Sequence, residues 1–173
     1  MPATQLTTPL GTLYLTTHQN ALTSLCFDMP EHTAISDSED PLIQQIKTEL
    51  TQWFKDPKTV FTVPLNPTGT PFQLKVWQAL QQIPCGETRT YSTLAAQLNT
   101  HARAIGSACR ANPLPIIIPC HRVVAKQGLG GYTGATEGEM IRIKSCLLAL
   151  EKSTGKRNSP GSSKTPPDRA SSC

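Results

Sequence analysis

The stretch Pro64-Leu-Asn-Pro-Thr-Gly69 suits neither a helix nor a strand, because its prolines withhold N–H donors and its asparagine and glycine favour turns. It divides the chain. Directly after it, Thr70-Pro71-Phe72-Gln73 reads as a capping box with proline at the first helical position, which starts a helix there. On the N-terminal side, residues 6 to 27 alternate apolar and polar around a Pro9-Leu10-Gly11 turn and a polar tip at His18 to Asn20, the pattern of a hairpin or meander. Pro41 to Phe54 then sets Leu42, Ile46, Leu50 and Trp53 at helical spacing and stops before Asp56-Pro57. The expected fold is an α/β N-terminal domain with a small antiparallel sheet, residues 1–66, and a mostly α C-terminal domain, residues 67–152.

In the second domain Phe72, Val76, Trp77 and Leu80 form one helix face that ends near Ile83-Pro84. Two short helices follow, Thr93 to Leu98 and about Ala102 to Ala111, separated by Asn99-Thr100. They resemble a helix-turn-helix, although any helical hairpin shows the same pattern. A glycine-rich loop, Gly128 to Gly134, precedes a last helix with Met140, Ile143, Leu147 and Leu150 on one side, closing at Glu151-Lys152. From Ser153 onward Ser, Pro, Lys and Gly dominate, so residues 153–173 read as a disordered basic tail.

Charge is divided along the chain. Residues 1 to 70 hold three Lys/Arg against seven Asp/Glu, and residues 71 to 151 hold eight against four. A polyanion would meet the second part; an ordinary solvated surface is the other reading of so modest an excess. No stretch approaches the ~18 to 20 apolar residues of a membrane span, and the N-terminus lacks a secretory pattern. A cytoplasmic protein with no membrane association is expected. The six cysteines and four histidines are scattered, with no Cys-x-x-Cys, so no metal site is expected.

The chemistry concentrates at residues 113 to 124, Pro-Leu-Pro-Ile-Ile-Ile-Pro-Cys-His-Arg-Val-Val. The β-branched run reads as a strand that delivers Cys120 beside His121 and Arg122. A thiol reacts as its thiolate, and cationic neighbours favour that form, so a sulfur ionised near neutral pH is expected. The competing reading makes Cys120 a small buried hydrophobe. In an extended chain adjacent side chains point apart, so His121 would need a turn or a bridging water to take the thiol proton. Glu151 is a candidate to fix the imidazole tautomer, or else a surface glutamate paired with Lys152.

Ile118-Pro-Cys-His-Arg-Val-Val124, preceded by Arg103-Ala-Ile-Gly-Ser-Ala-Cys-Arg-Ala-Asn-Pro113, resembles the active-site signature of the O6-alkylguanine-DNA alkyltransferases, also called methylated-DNA-protein-cysteine methyltransferases. Phe72 to Trp77, Gly86-Glu87 with Thr90-Tyr91, and Thr8 to Leu15 are similar to that family too, so the likeness spans roughly residues 5 to 152. The resemblance implies irreversible, single-turnover transfer of an alkyl group from O6 of guanine to Cys120, by a cofactor-free monomer acting on double-stranded DNA. His121 would be the water-relayed base and Glu151 its orienting carboxylate. Asn112 would bind the loop around the site, and Tyr91 would hydrogen-bond the extruded guanine. Cys109, Val123, Tyr132 and Thr133 would line the base pocket. A base inside a duplex is out of reach, so it must be flipped out. The resemblance places Arg103 as the finger that fills the gap, on a helix whose Ala102, Ala104 and Gly106 lie against the minor groove, where readout is degenerate. The sequence departs from the family at Ala135, where a glycine is usual, and in the added polar stretch Thr136 to Glu139. Lys144 matches a position where the family often has lysine and receives no role. Two other readings remain at this stage: a non-catalytic lesion-binding relative, and a Cys-His-Glu hydrolase.

Overall fold

The computed structural model describes residues 3–132 and 137–155. Strands β1 (Thr4–Thr8), β2 (Gly11–His18) and β3 (Ala21–Cys26) form an antiparallel meander in that order, with Thr4 opposite Leu15 and Tyr14 opposite Cys26. Gln19 and Asn20, at φ 49° and 61°, make the β2–β3 turn, where asparagine tolerates the left-handed conformation. Alternation sends Leu13 and Leu15 of β2 into the core, and a bulge at Thr23 in β3 resets the alternation so that Leu22 and Leu25, three residues apart, both point inward. Helix α1 (Pro41–Lys55) starts where the Asp40 carboxylate accepts from Leu42 N at 2.8 Å, and it buries Leu42, Ile43, Ile46, Leu50 and Trp53. The expected meander and helix are present.

The turn-rich stretch is more than a divider. Leu22 N donates to Pro64 O and Asn66 N donates to Leu22 O, both at 2.9 Å, so the connecting segment lies along the open edge of β3. Farther along the same strand, Leu25 N donates to Pro113 O at 2.8 Å. The small sheet is thereby fastened to the segment that leads to Cys120.

Helix α2 (Pro71–Gln81) begins with the expected capping box: Gln73 N donates to Thr70 Oγ1 at 3.2 Å, and Thr70 N donates to Gln73 Oε1 at 2.9 Å. Its Trp77 is buried and its indole N–H donates to Ala108 O at 2.8 Å, locking α2 to α4 (Ala102–Arg110). Helix α3 (Tyr91–Gln97) starts two residues before the expected position, because Thr90 Oγ1 accepts from Thr93 N at 3.1 Å and caps the helix there. Asn99, at φ 54°, reverses the chain between α3 and α4, which pack together as a helix-turn-helix.

One expectation fails. The apolar run before Cys120 is not a strand but a compact turn, closed by Ile118 N donating to Leu114 O at 2.8 Å, with Ile116 at φ 76°. Pro113, Pro115 and Pro119 deprive it of ladder donors, and that outweighs the β-preference of three isoleucines. Cys120–Arg122 form one turn of 3₁₀-helix, and only Val123–Val124 (β5) is extended, paired in parallel with Arg89–Thr90 (β4). Helix α5 (Glu139–Gly155) runs three residues past its expected end, with Ser153 Oγ bonded back to Leu150 O at 2.9 Å. The rest of the expected disordered tail lies outside the described residues.

Gly69 sits against Trp77. A Cβ there would lie 2.5 Å from the indole Cη2, and the ring is pinned by its bond to Ala108. Gly69→Ala is therefore expected to destabilise the fold by about 1–3 kcal/mol, read as a lowered urea midpoint at unchanged m-value.

Candidate active site

The 3₁₀ turn gathers three consecutive polar side chains into the interior: Cys120 is 4% exposed, His121 0% and Arg122 8%. Three such residues stay buried only if each is satisfied, and helix α5 supplies the partner. Glu151 Oε1 accepts from His121 Nε2 at 2.7 Å and from Arg122 Nη2 at 2.7 Å, while Arg122 Nε lies 3.0 and 3.1 Å from the two carboxylate oxygens. Gly86 N donates to Oε2 at 3.4 Å, and Arg122 Nη1 donates to Ile83 O at 2.6 Å. Glu151 is 1% exposed, which disposes of the reading that paired it with Lys152 on the surface.

Burial alone would push the Glu151 carboxyl up. The hydrogen bonds and charges of His121 and Arg122 overcome that and hold it below its ordinary value. A carboxylate only accepts, so His121 Nε2 carries the proton. Burial lowers the His121 pKa from 6.5 despite the pull of Glu151, leaving a neutral ring whose Nδ1 is buried, unprotonated and without a hydrogen-bond partner. Trp53 of α1 stands edge-on to that ring at 6.1 Å, so the N-terminal domain also braces the imidazole.

Cys120 differs from expectation. Burial pushes its thiol up to about 11, and the counteracting influences are a hydrogen bond from the Asn112 side chain and the charge of Lys144. Arg122 is turned to Glu151 instead. At neutral pH the sulfur is a thiol, not the ionised group that its sequence neighbours suggested. Asn112 Nδ2 also donates to Ile118 O at 2.8 Å, and its Oδ1 accepts from Leu114 N at 3.0 Å, so one side chain ties the turn at both ends.

Around the sulfur stand residues from three other elements. Tyr91, at the start of α3, is half-buried; its OH donates to Gly131 O at 3.4 Å, and burial followed by the nearby Cys109 and Cys120 raises the phenol to about 12. Cys109 of α4 is buried and its thiol is raised to about 12, first by burial and then by Cys120. Tyr132 is buried with an unpartnered OH. Val123 is fully buried and its carbonyl accepts from Lys144 Nζ at 2.7 Å. Thr133 lies outside the described residues. Ala102 and Arg103 are exposed on α4, Ala104 and Gly106 partly so, and a Cβ at Gly106 would meet nothing within 4 Å. Among the described residues no group of three His, Cys, Asp or Glu side chains is placed to hold a metal ion.

Arg122, Trp53 and Lys144 are the site residues that the sequence reading left without these roles. One signal was present. Lys144 and Glu151, seven residues apart, fall on the apolar face of α5 between Met140, Ile143 and Leu147, and a charge on such a face needs a buried partner.

Arg122→Met leaves a buried carboxylate short of its main counter-charge, and a loss of about 3–5 kcal/mol is expected in urea unfolding. Acid should act on the same cluster. His121 and Glu151 both titrate lower when folded than when unfolded, so their contribution is complete above about pH 6.5. As pH falls the urea midpoint should drop, first as unfolded chains protonate the histidine and again below about 4.5 through Glu151.

With this geometry in hand, comparisons with known proteins are specific. The family model for the ribonuclease-like domain of 6-O-methylguanine DNA methyltransferase matches residues 3–67, and the model for its DNA-binding domain matches residues 71–153. The constitutive methylated-DNA--protein-cysteine methyltransferase of Bacillus subtilis is 37% identical over 155 residues, which cover 84% of this chain and 92% of that protein. The methylated-DNA--protein-cysteine methyltransferase of Mycobacterium tuberculosis is 40% identical over 151 residues, covering 84% and 88%. The crystal structure of the M. tuberculosis O6-methylguanine methyltransferase superposes with a TM-score of 0.76 at 37% identity, covering 88% of this chain and 93% of that one. A second M. tuberculosis structure, in complex with DNA, superposes at 0.73. The chain belongs to the 6-O-methylguanine DNA methyltransferase family.

Proposed function

We propose that this chain repairs O6-alkylguanine in DNA by taking the alkyl group onto Cys120, once per molecule. The observation that carries the reading is the buried pair that His121, on the turn that holds Cys120, makes with Glu151 of α5, with His121 Nδ1 bare and uncharged. The buried thiol keeps its proton until reaction, so the proton must leave as the sulfur attacks. Through a bridging water it passes to His121 Nδ1, and Glu151 stabilises the imidazolium that forms. The new S–C bond takes the alkyl carbon, the C–O6 bond breaks with its electron pair on guanine, and the base takes up a proton from water, balanced by release to water of the one passed to His121. Tyr91, with a phenol titrating near 12, is suited to donate a hydrogen bond to that departing base. No cofactor enters the balance.

The basic residues 67–152 would carry DNA, and residues 1–66 would act as the brace. The exposed Arg103, on the helix that also carries Cys109, would occupy the space left when guanine rotates out through the minor groove. We take the protein to work as a cytoplasmic monomer. No described helix is long and apolar enough to cross a membrane.

Duplex DNA carrying O6-[³H-methyl]guanine should leave one label per protein molecule, and none on Cys120→Ser. Tight lesion binding without label would make the chain a non-catalytic binder; neither result would leave a hydrolase to be sought. Arg103→Ala should slow transfer from duplex by at least about tenfold. It should slow transfer from a single-stranded oligonucleotide much less, since there no paired base has to be displaced.

A further inference from the structure

Lys144 is 0% exposed, and a lysine is buried so completely only where its ammonium is bound on every side. Its Nζ donates to Val123 O at 2.7 Å, to Gly131 O at 2.8 Å and to Leu129 O, which uses all three of its protons. The same nitrogen lies 5.9 Å from the centroid of the Tyr91 ring, and Tyr91 OH reaches the same Gly131 carbonyl. One atom on α5 therefore joins the strand that follows the Cys120 turn, the loop arching past it and the first residue of α3. The packing tolerates no slack there: a Cβ on Gly130 would lie 2.9 Å from Tyr91 Cε2.

We infer that Lys144 is a positioning residue of the alkyl-transfer site, holding loop, strand and Tyr91 as one unit around Cys120 and supplying the positive charge that favours the sulfur anion as it forms. The inference rests on Cys120 being the alkyl acceptor. Its first half is geometric, from the three carbonyls. Its second is electrostatic: Lys144 is the cation that lowers the Cys120 and Cys109 thiols, and burial holds its own pKa at about 8, so part of its charge is lost just above neutrality. The groups facing it are the Cys120 thiol and His121 on the 3₁₀ turn, Cys109 on α4, Tyr91 on α3 and the Val123, Leu129 and Gly131 carbonyls. None of them is a carboxylate that would compete with the sulfur for the charge.

The test measures iodoacetamide modification of Cys120, mapped by mass spectrometry, against pH without DNA, alongside methyl transfer from O6-methylguanine duplex. Lys144→Met removes charge and hydrogen bonds; Lys144→Gln removes the charge and keeps an amide donor. In both, Cys120 modification should fall at least about tenfold at a given pH, its profile displaced upward by about one unit, and methyl transfer should slow at least as much. In the unmutated protein the rise of log rate with pH should flatten through about pH 8 as Lys144 loses its charge. Profiles unchanged in the variants, or a straight unit-slope rise from pH 7 to 10 in the unmutated protein if neither variant folds, would overturn the inference. Absence of transfer by the unmutated protein would instead overturn the repair reading, and the modification profiles would still decide the charge.

Discussion

The Glu151 carboxylate is the constraint from which the site follows. It sits near the end of α5 with almost no exposure, so its charge is tolerable only with several donors around it, and it gathers them from two separate places: His121 and Arg122 on the 3₁₀ turn, and the backbone at Gly86. Arg122 in turn holds Ile83 O at the end of α2. Neutralising Glu151 with Arg122 also leaves His121 free of any need to be charged, and so able to accept a proton when the chemistry supplies one. A salt bridge that contributes to the fold thus also sets the resting state of the base.

The sulfur follows a different logic. Burial raises the thiol instead of activating it, which keeps an exposed electrophile from consuming it before a substrate docks. On the proposed mechanism activation is left to the moment of attack, with His121 as acceptor and Lys144 as the local positive charge. Reactivity then depends on the groups that meet the sulfur during attack, not on a permanently ionised cysteine.

Much of the architecture was legible in local patterns. The capping box at Thr70, the alternation through β2 and β3 and the spacing of α1 each specify an element through nearest neighbours, and each formed as expected. The Pro113–Ile118 turn was misread because isoleucine suggests a strand, while the decisive fact is which backbone donors the three prolines remove. The early start of α3 is a cap effect of two residues, and α5 overruns by three, with Ser153 Oγ bonded back to Leu150 O. At the site, Cys120 and His121 stood out because they adjoin one another, while Asn112 entered through the family resemblance. Glu151 and Lys144 could be noticed as charges on the apolar face of α5, but their partners could not, and Arg122, Lys144 and Trp53 took their roles from contacts across 13 to 68 residues of chain that no local pattern encodes.

The closed margins of the small sheet bear on how such a protein lives in a cell. At β3, Leu22 and Leu25 are bonded to the connecting segment and to Pro113; at β1, Ala3 N donates to Ala34 O and Ala3 O accepts from Ser36 N. Along β3 this leaves little unpaired backbone to recruit a strand from a neighbouring molecule, while on the β1 side the bonds cover the end at Ala3, just before the strand. A repair agent spent in a single event has to be replaced molecule for molecule, and a β3 edge covered in this way removes one route by which an accumulating stock could add strand to strand.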